Sequence, residues 1–272
     1  MKLRPFLFLY VGSFLNISPV FSNTNIPMGA RFGAMANAST AISDLWSVHH
    51  NQAGIAGINK VQAGFYFENR FLIPEISAKG FALAIPVKNA VWGLSVSHFG
   101  FRLYSESKVG FTYAKKLSEK VSAGIQLDYM NIFIGEGYGN KNIFTGGAGV
   151  QVELLSGLTL GAHIYNPARA KLANYNNERI ISIFRLGLNY KLSEKVLICA
   201  ETEKDTRHKP VFKAGMEYQV AEQLYLRAGI STNPAMNTFG FGLNLKQFKI
   251  DFASGIHSVL GYSPMISINY IF

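Results

Sequence analysis

The chain has one cysteine, Cys199, in 272 residues, so no disulfide can form within it. Charge is scarce as well: Asp, Glu, Lys and Arg make up 15% of the residues, against 49% hydrophobic. Mean hydropathy is +0.14, apolar for a soluble protein. Yet no run of ~18 apolar residues, the length a spanning helix needs, follows the first 22 positions. These absences leave two uses for so much apolar surface. It is buried in a soluble core, or it alternates on strands between lipid and a polar interior. Abundant glycine and aromatic residues favour strands over helices. No clustered basic helix points to a nucleic-acid partner, and no set of side chains calls for a cofactor.

The N-terminus reads as a secretory signal over residues 1–22. Lys2 and Arg4 form a basic start, Phe6 to Leu15 an apolar stretch, and cleavage is expected near Ser22. Asn16 and Pro19 end the apolar stretch too early for a membrane anchor. Removing Lys2 and Arg4 lowers the formal charge from +10 to +8, compatible with anionic lipid headgroups.

From Lys60 to Phe272 the sequence becomes a train of alternating segments of ~10 residues, the length of a tilted transmembrane strand. Between Val121 and Met130, the residues Ala123, Ile125, Leu127 and Tyr129 fall on one face. Ser122, Gly124, Gln126 and Asp128 fall on the other. A helical period would scatter these residues, whereas a period of two sorts them. Short breaks, such as Ser118-Glu119-Lys120, Ser156-Gly157 and Ser193-Glu194-Lys195, alternate with longer ones. The longer set includes Ile134 to Lys141, Asn166 to Arg179 and Ser258 to Pro264. This pattern predicts an all-β, antiparallel up-and-down transmembrane barrel of about fourteen strands over residues 60–272.

A weak repeat supports the hairpins: Gly-x-x-Tyr followed by Leu-Ser-Glu-Lys-Val occurs at Gly110 to Val121 and at Gly187 to Val196. Pairing Val220 with Leu224 sets Glu217 opposite Arg227, and pairing Leu192 with Val196 sets Arg185 opposite Glu203. Both put opposite charges across the ladder on the polar face, an arrangement the turns did not impose. Trp92, Tyr113, Tyr190, Tyr218 and Tyr270 gather near the short turns, as an interfacial aromatic girdle would. In the last strand, Ile266, Ile268, Tyr270 and Phe272 share one face. The terminal aromatics Tyr270 and Phe272 then read as an assembly signal for barrel-insertion machinery.

Residues 23–59 differ. They are rich in Ala, Ser, Asn and Gly and lack the alternation. Small residues let backbone pack closely on a wall, so this segment is expected to fold into the lumen as a plug, with room left by the polar-face glycines. Its order is Gly29-Ala30-Arg31, a small-residue stretch, Asp44-Leu45-Trp46, then Asn51-Gln52-Ala53-Gly54. In this order it resembles the FadL superfamily of outer-membrane barrels, and within that superfamily the PorV/PorQ branch associated with type IX secretion. The resemblance covers residues 29–56. It implies a fourteen-stranded barrel with an N-terminal hatch, in the bacterial outer membrane. It also implies either passage of hydrophobic compounds or service to protein secretion, with a secretion-system partner or a hydrophobic small molecule accordingly. Gln52 stands where the family has proline, which predicts a looser turn.

Neither histidine pair makes a site. His49 and His50 are adjacent and point apart on an extended chain, without further ligands at metal spacing. His257 and Ser258, neighbours on a strand, face opposite sides and cannot share a catalytic geometry. Arg31 is expected to pair with a lumen carboxylate such as Glu201 or Asp128. The expectation is a non-enzymatic barrel acting in outer-membrane transport or as a secretion accessory. Uptake of a compound such as a fatty acid is the alternative, and a barrel-embedded lipid hydrolase a distant third.

Overall fold

The computed structural model describes residues 25–136, 139–172 and 179–272; the expected signal peptide lies outside them. Fourteen strands follow one another in sequence. They are β1 (Gln62–Asn69), β2 (Ser77–Val87), β3 (Ala90–Phe101), β4 (Tyr104–Lys116), β5 (Val121–Ile134), β6 (Gly139–Leu155) and β7 (Leu158–Tyr165). The rest are β8 (Ile183–Lys191), β9 (Val196–Asp205), β10 (Val211–Ala221), β11 (Leu224–Ser231), β12 (Met236–Leu245), β13 (Phe248–His257) and β14 (Gly261–Ile271). Each pairs antiparallel with its neighbours, and β1 pairs with β14, closing the barrel. Closure pairs every strand edge, which an open sheet in lipid could not do. No described helix is long and apolar enough to cross a membrane.

The period of two decides which side chains face out. On β5, Ile125 and Leu127 are each 61% exposed, while Gln126 and Asp128, which alternate with them, are buried. The outward set forms a continuous apolar belt, including Phe65, Phe111, Phe144, Phe212 and Phe239. Trp92 and Tyr113 stack edge to face at 5.1 Å near one end of this belt. Tyr270 packs against both Phe248 and Phe272 at the same end.

Two sequence expectations are corrected in the turns. Glu217 does lie opposite Arg227, but Leu224 pairs with Ala221 and not Val220, because a bulge between Gln219 and Ala221 absorbs one residue. The expected loop from Ile134 to Lys141 shrinks, since β5 runs through Ile134 and β6 begins at Gly139. Both strands continue past the bilayer-length estimate as a paired extension.

Residues 25–56 lie inside the barrel, most of them buried. A helical turn (Ala30–Gly33) and two 3-10 turns (Leu45–His49 and Gln52–Ile55) are joined by irregular backbone. Phe32, Met35, Trp46, Val48 and Ile55 are fully buried there. They form the main apolar core together with small inward residues such as Ala78, Ala82 and Ala84 of β2. Glycine permits the approach. A Cβ on Gly124 of β5 would stand 2.6 Å from the Gln52 carbonyl carbon, so backbone rests almost directly on the wall.

Candidate functional site

The inserted segment is fastened at several levels of the lumen. Nearest the short turns, Arg31 donates from Nε and Nη2 to the two carboxylate oxygens of Glu217 on β10, each at 2.8 Å. Its Nη1 donates to Asp44 of the segment at 2.9 Å. Glu217 also accepts from Arg227 of β11 (2.6 Å), which donates in turn to Asp251 of β13 (2.7 Å). The result is an alternating chain of charges, Asp44, Arg31, Glu217, Arg227, Asp251, in which every carboxylate touches an arginine. Such fork-to-fork bonding is directional and strong. The expected partners of Arg31, Glu201 and Asp128, are thus incorrect. They sit higher up the wall, and the helical turn at Ala30–Gly33 aims Arg31 downward.

Glu201 serves another part of the segment. One of its oxygens accepts from the Ser39 and Thr40 backbone N–H groups and from the Thr40 hydroxyl, at 2.9, 2.9 and 2.7 Å. The other accepts from Lys213 at 2.9 Å. Lys213 also donates to Glu203 (2.8 Å), which accepts from Arg185 across the ladder at 2.7 Å. Ser39 and Thr40 carried no sequence signal for this role, because a turn that presents two N–H groups to one carboxylate depends on the wall facing it.

The motif residues hold the segment's own shape. Gly29 has a φ of 101°, and a Cβ there would stand 2.6 Å from the Trp46 ring, so Gly29 and Trp46 require each other. Ala30 N–H donates to Ser267 of β14 at 3.3 Å. Trp46 Nε1 donates to Asn269 of β14 at 2.9 Å. Asp44 caps the 3-10 turn that follows it, accepting from Trp46 N–H at 3.1 Å. Asn51 accepts from Ala53 N–H at 3.1 Å and donates to the Thr40 carbonyl at 2.7 Å. A Cβ on Gly54 would stand 2.6 Å from Ser47 Oγ. Gln52, where looseness was expected, instead donates to Gln126 of β5 at 2.7 Å. The missing proline is replaced by a contact with the wall.

The histidines are spent on structure. His49 Nε2 donates to the Phe81 carbonyl of β2 at 3.1 Å. His50 Nε2 donates to the Met28 carbonyl at 2.7 Å, while its Nδ1 accepts from Ser39 Oγ at 2.8 Å. Burial, reinforced by nearby Lys108 for His49 and Arg185 for His50, pushes both pKa values down to about 3, so both rings are neutral. His257 Nδ1 accepts from the Val259 and Leu260 N–H groups, both at 3.2 Å, and holds the β13–β14 turn.

Above the segment, toward the longer loops, the lumen changes character. Met130 and Ile132 of β5, Ile143 of β6, Tyr165 of β7 and Ile183 of β8 all face inward and are buried. Ile180 and Ile181, which lead into β8 from the loop, fold down onto them. Asn166 anchors this fold, donating to the Ile180 carbonyl at 3.0 Å and accepting from the Thr145 hydroxyl at 3.0 Å. The alternation predicts a polar interior; one sector of it is apolar. The signal was present in sequence, since the inward positions of β5 turn apolar after Asp128, at Met130 and Ile132. Beneath the cluster lie Lys108, bonded to Asn25 at 3.1 Å, and His163, whose two ring nitrogens find no partner among the described residues.

No protein-family model and no curated protein matches the sequence. The fold, however, has close counterparts among solved structures. It is similar to the CymD monoaromatic hydrocarbon channel, with a TM-score of 0.71 and 12% identity over 92% of this chain and 99% of that one. It is similar to the Ralstonia pickettii toluene transporter TbuX, with a TM-score of 0.67 and 12% identity over 90% and 98%. A Pseudomonas aeruginosa FadL homologue gives a TM-score of 0.65 and 11% identity over 91% and 98%. The chain therefore has the FadL-type barrel fold. These similarities are to hydrocarbon channels and a FadL homologue and do not show a place in the PorV/PorQ branch.

Proposed function

We propose that this protein is a bacterial outer-membrane channel for a small hydrophobic compound, with residues 25–59 acting as its plug. The apolar cluster inside the lumen carries the reading. The wall around the plug meets it with small inward residues such as Ala78, Ala82 and Ala84 and with charged ones such as Glu201 and Glu217, whereas this cluster contains no plug residue. Met130, Ile132, Ile143 and Ile183 instead offer an apolar lining beneath the longer loops, where a compound entering from outside arrives first. The similar structures, a monoaromatic hydrocarbon channel and a toluene transporter, support the same class of cargo. Passage requires displacement of Ile180 and Ile181 above and of the plug below, so the described state is closed. The expected accessory role in protein secretion draws no support from the similar structures.

The test is uptake of radiolabelled toluene by cells carrying the wild-type barrel, the Ile132→Asp variant or an empty vector. Uptake above the vector level, reduced at least about fivefold by the buried charge, is expected. Uptake equal to the vector control, with the barrel present in the outer membrane, would sink the reading.

A further inference from the structure

The outer wall of β6 to β9 is not a smooth apolar cylinder. Ala148 and Ala162, short side chains on adjacent strands, lie beside the larger Phe184 and Leu186 of β8 and leave a groove of about 500 Å³ on the lipid-facing side. Period-two alternation also puts Thr202 and Lys204 of β9 on this face, opposite Leu186 and Phe184. Lys204 closes the groove at its long-loop end.

Directly above, the loops 166–182 and 206–210 bring Arg169, Lys171, Arg207 and Lys209 to the same rim, all exposed. Three cations at this rim, Lys204, Arg179 and Arg207, are held by backbone oxygens. Lys204 donates to the His208 carbonyl, Arg179 to the Arg169 carbonyl at 3.3 Å, and Arg207 to the Arg179 carbonyl at 2.9 Å. The nearby carboxylate, Asp205, is occupied by the His208 ring at 2.6 Å and by the Arg207 N–H at 2.7 Å. Among the described residues, no carboxylate lies within ion-pair distance of Lys204, Arg169, Lys171 or Lys209. The rim thus carries a cluster of cations above an apolar groove, with Lys204 anchored at its edge.

We infer that this wall docks a phosphate-bearing, acylated lipid of the surrounding leaflet, with an acyl chain in the groove and the phosphate against Lys204 and its neighbours. Selectivity comes from the headgroup, because one acyl chain in the groove merely replaces another. The groove fixes where the headgroup sits. This inference rests on the membrane placement proposed above and is independent of what passes through the lumen.

The experiment uses the purified full chain in detergent micelles containing lipid A with both phosphates, with lipid retention read by native mass spectrometry. Wild-type protein is expected to retain the phosphorylated lipid at least about tenfold better than the dephosphorylated form, and less of it as salt rises. The combined variant Arg169→Gln, Lys204→Gln, Lys209→Gln is expected to lose that preference. Ala162→Trp, which fills the groove without touching a charge, is expected to reduce retention of both forms, and it tests the inference should the charge variant fail to fold. Equal retention of the two lipids by wild type would overturn the inference. So would full displacement of the lipid by millimolar inorganic phosphate, which would mark a simple anion site. Failure of the protein to float with liposomes would instead refute the membrane placement itself.

Discussion

Replacing Arg31 with alanine should release the plug's lower end while leaving the barrel folded. Arg31 makes three hydrogen bonds to two carboxylates, and no other segment residue bonds Glu217. Removing one partner of a buried ion pair typically costs ~3–5 kcal/mol, because the other charge is left uncompensated. Two features lower that figure here. The Arg31 side chain retains 18% exposure, and Glu217 keeps Arg227 at 2.6 Å. Asp44 bears most of the loss, since its other oxygen is already committed to capping Trp46. A cost of about 2–3 kcal/mol follows, which corresponds to roughly 30- to 150-fold in an opening equilibrium at ~1.4 kcal/mol per tenfold. Amide hydrogen exchange over residues 29–47, read by mass spectrometry in detergent, measures that equilibrium directly. Protection there should fall by this factor while protection on β3 to β5 is unchanged. Adding Glu217→Gln to the variant should cost less than the two single effects summed, because the paired charges leave together. Protection within threefold of wild type would refute the view that this charge chain latches the plug.

Other consequences follow from the same packing. Trp46→Phe should lower thermal stability by about 1–3 kcal/mol, because Asn269 Oδ1 loses its buried donor; a melting curve followed by circular dichroism checks this. The plug should loosen in acid. With folded pKa values near 3 for His49 and His50, against an ordinary value of 6.5, the folded state binds fewer protons than the unfolded between those limits. Their contribution is complete above pH 6.5 and declines as pH falls, by about 1.4 kcal/mol per unit for each ring. Plug exchange should therefore accelerate between pH 7 and 5, and the double variant His49→Gln, His50→Gln should flatten that dependence. Phe272→Ala should slow insertion of the barrel into liposomes supplied with purified assembly machinery, measured by heat-dependent gel mobility. It removes an aromatic packed edge to face on Tyr270 at 4.7 Å.

The barrel was legible because its information is local and periodic. Strand faces such as Ile125 against Gln126 follow from alternation alone, turns such as Ser193-Glu194-Lys195 set the hairpins, and the opposition of Arg185 and Glu203 follows from counting back from that turn. The segment inside the barrel was legible only as a composition. Its backbone is irregular, so nothing in the spacing says which wall residue each side chain meets, and closure of fourteen strands alone decides that Arg31 faces Glu217 and that Ser39 and Thr40 surround Glu201. The apolar sector above it was visible at Met130 and Ile132, but a rule that assumes a polar lumen has no place for it. By itself, then, the sequence determined the strands, their faces and most of their register, because each depends on neighbours a few residues away. Tertiary structure decided how the lumen is filled, because those contacts join residues more than a hundred positions apart, as Arg31 and Glu217 are, and exist only once the barrel has closed.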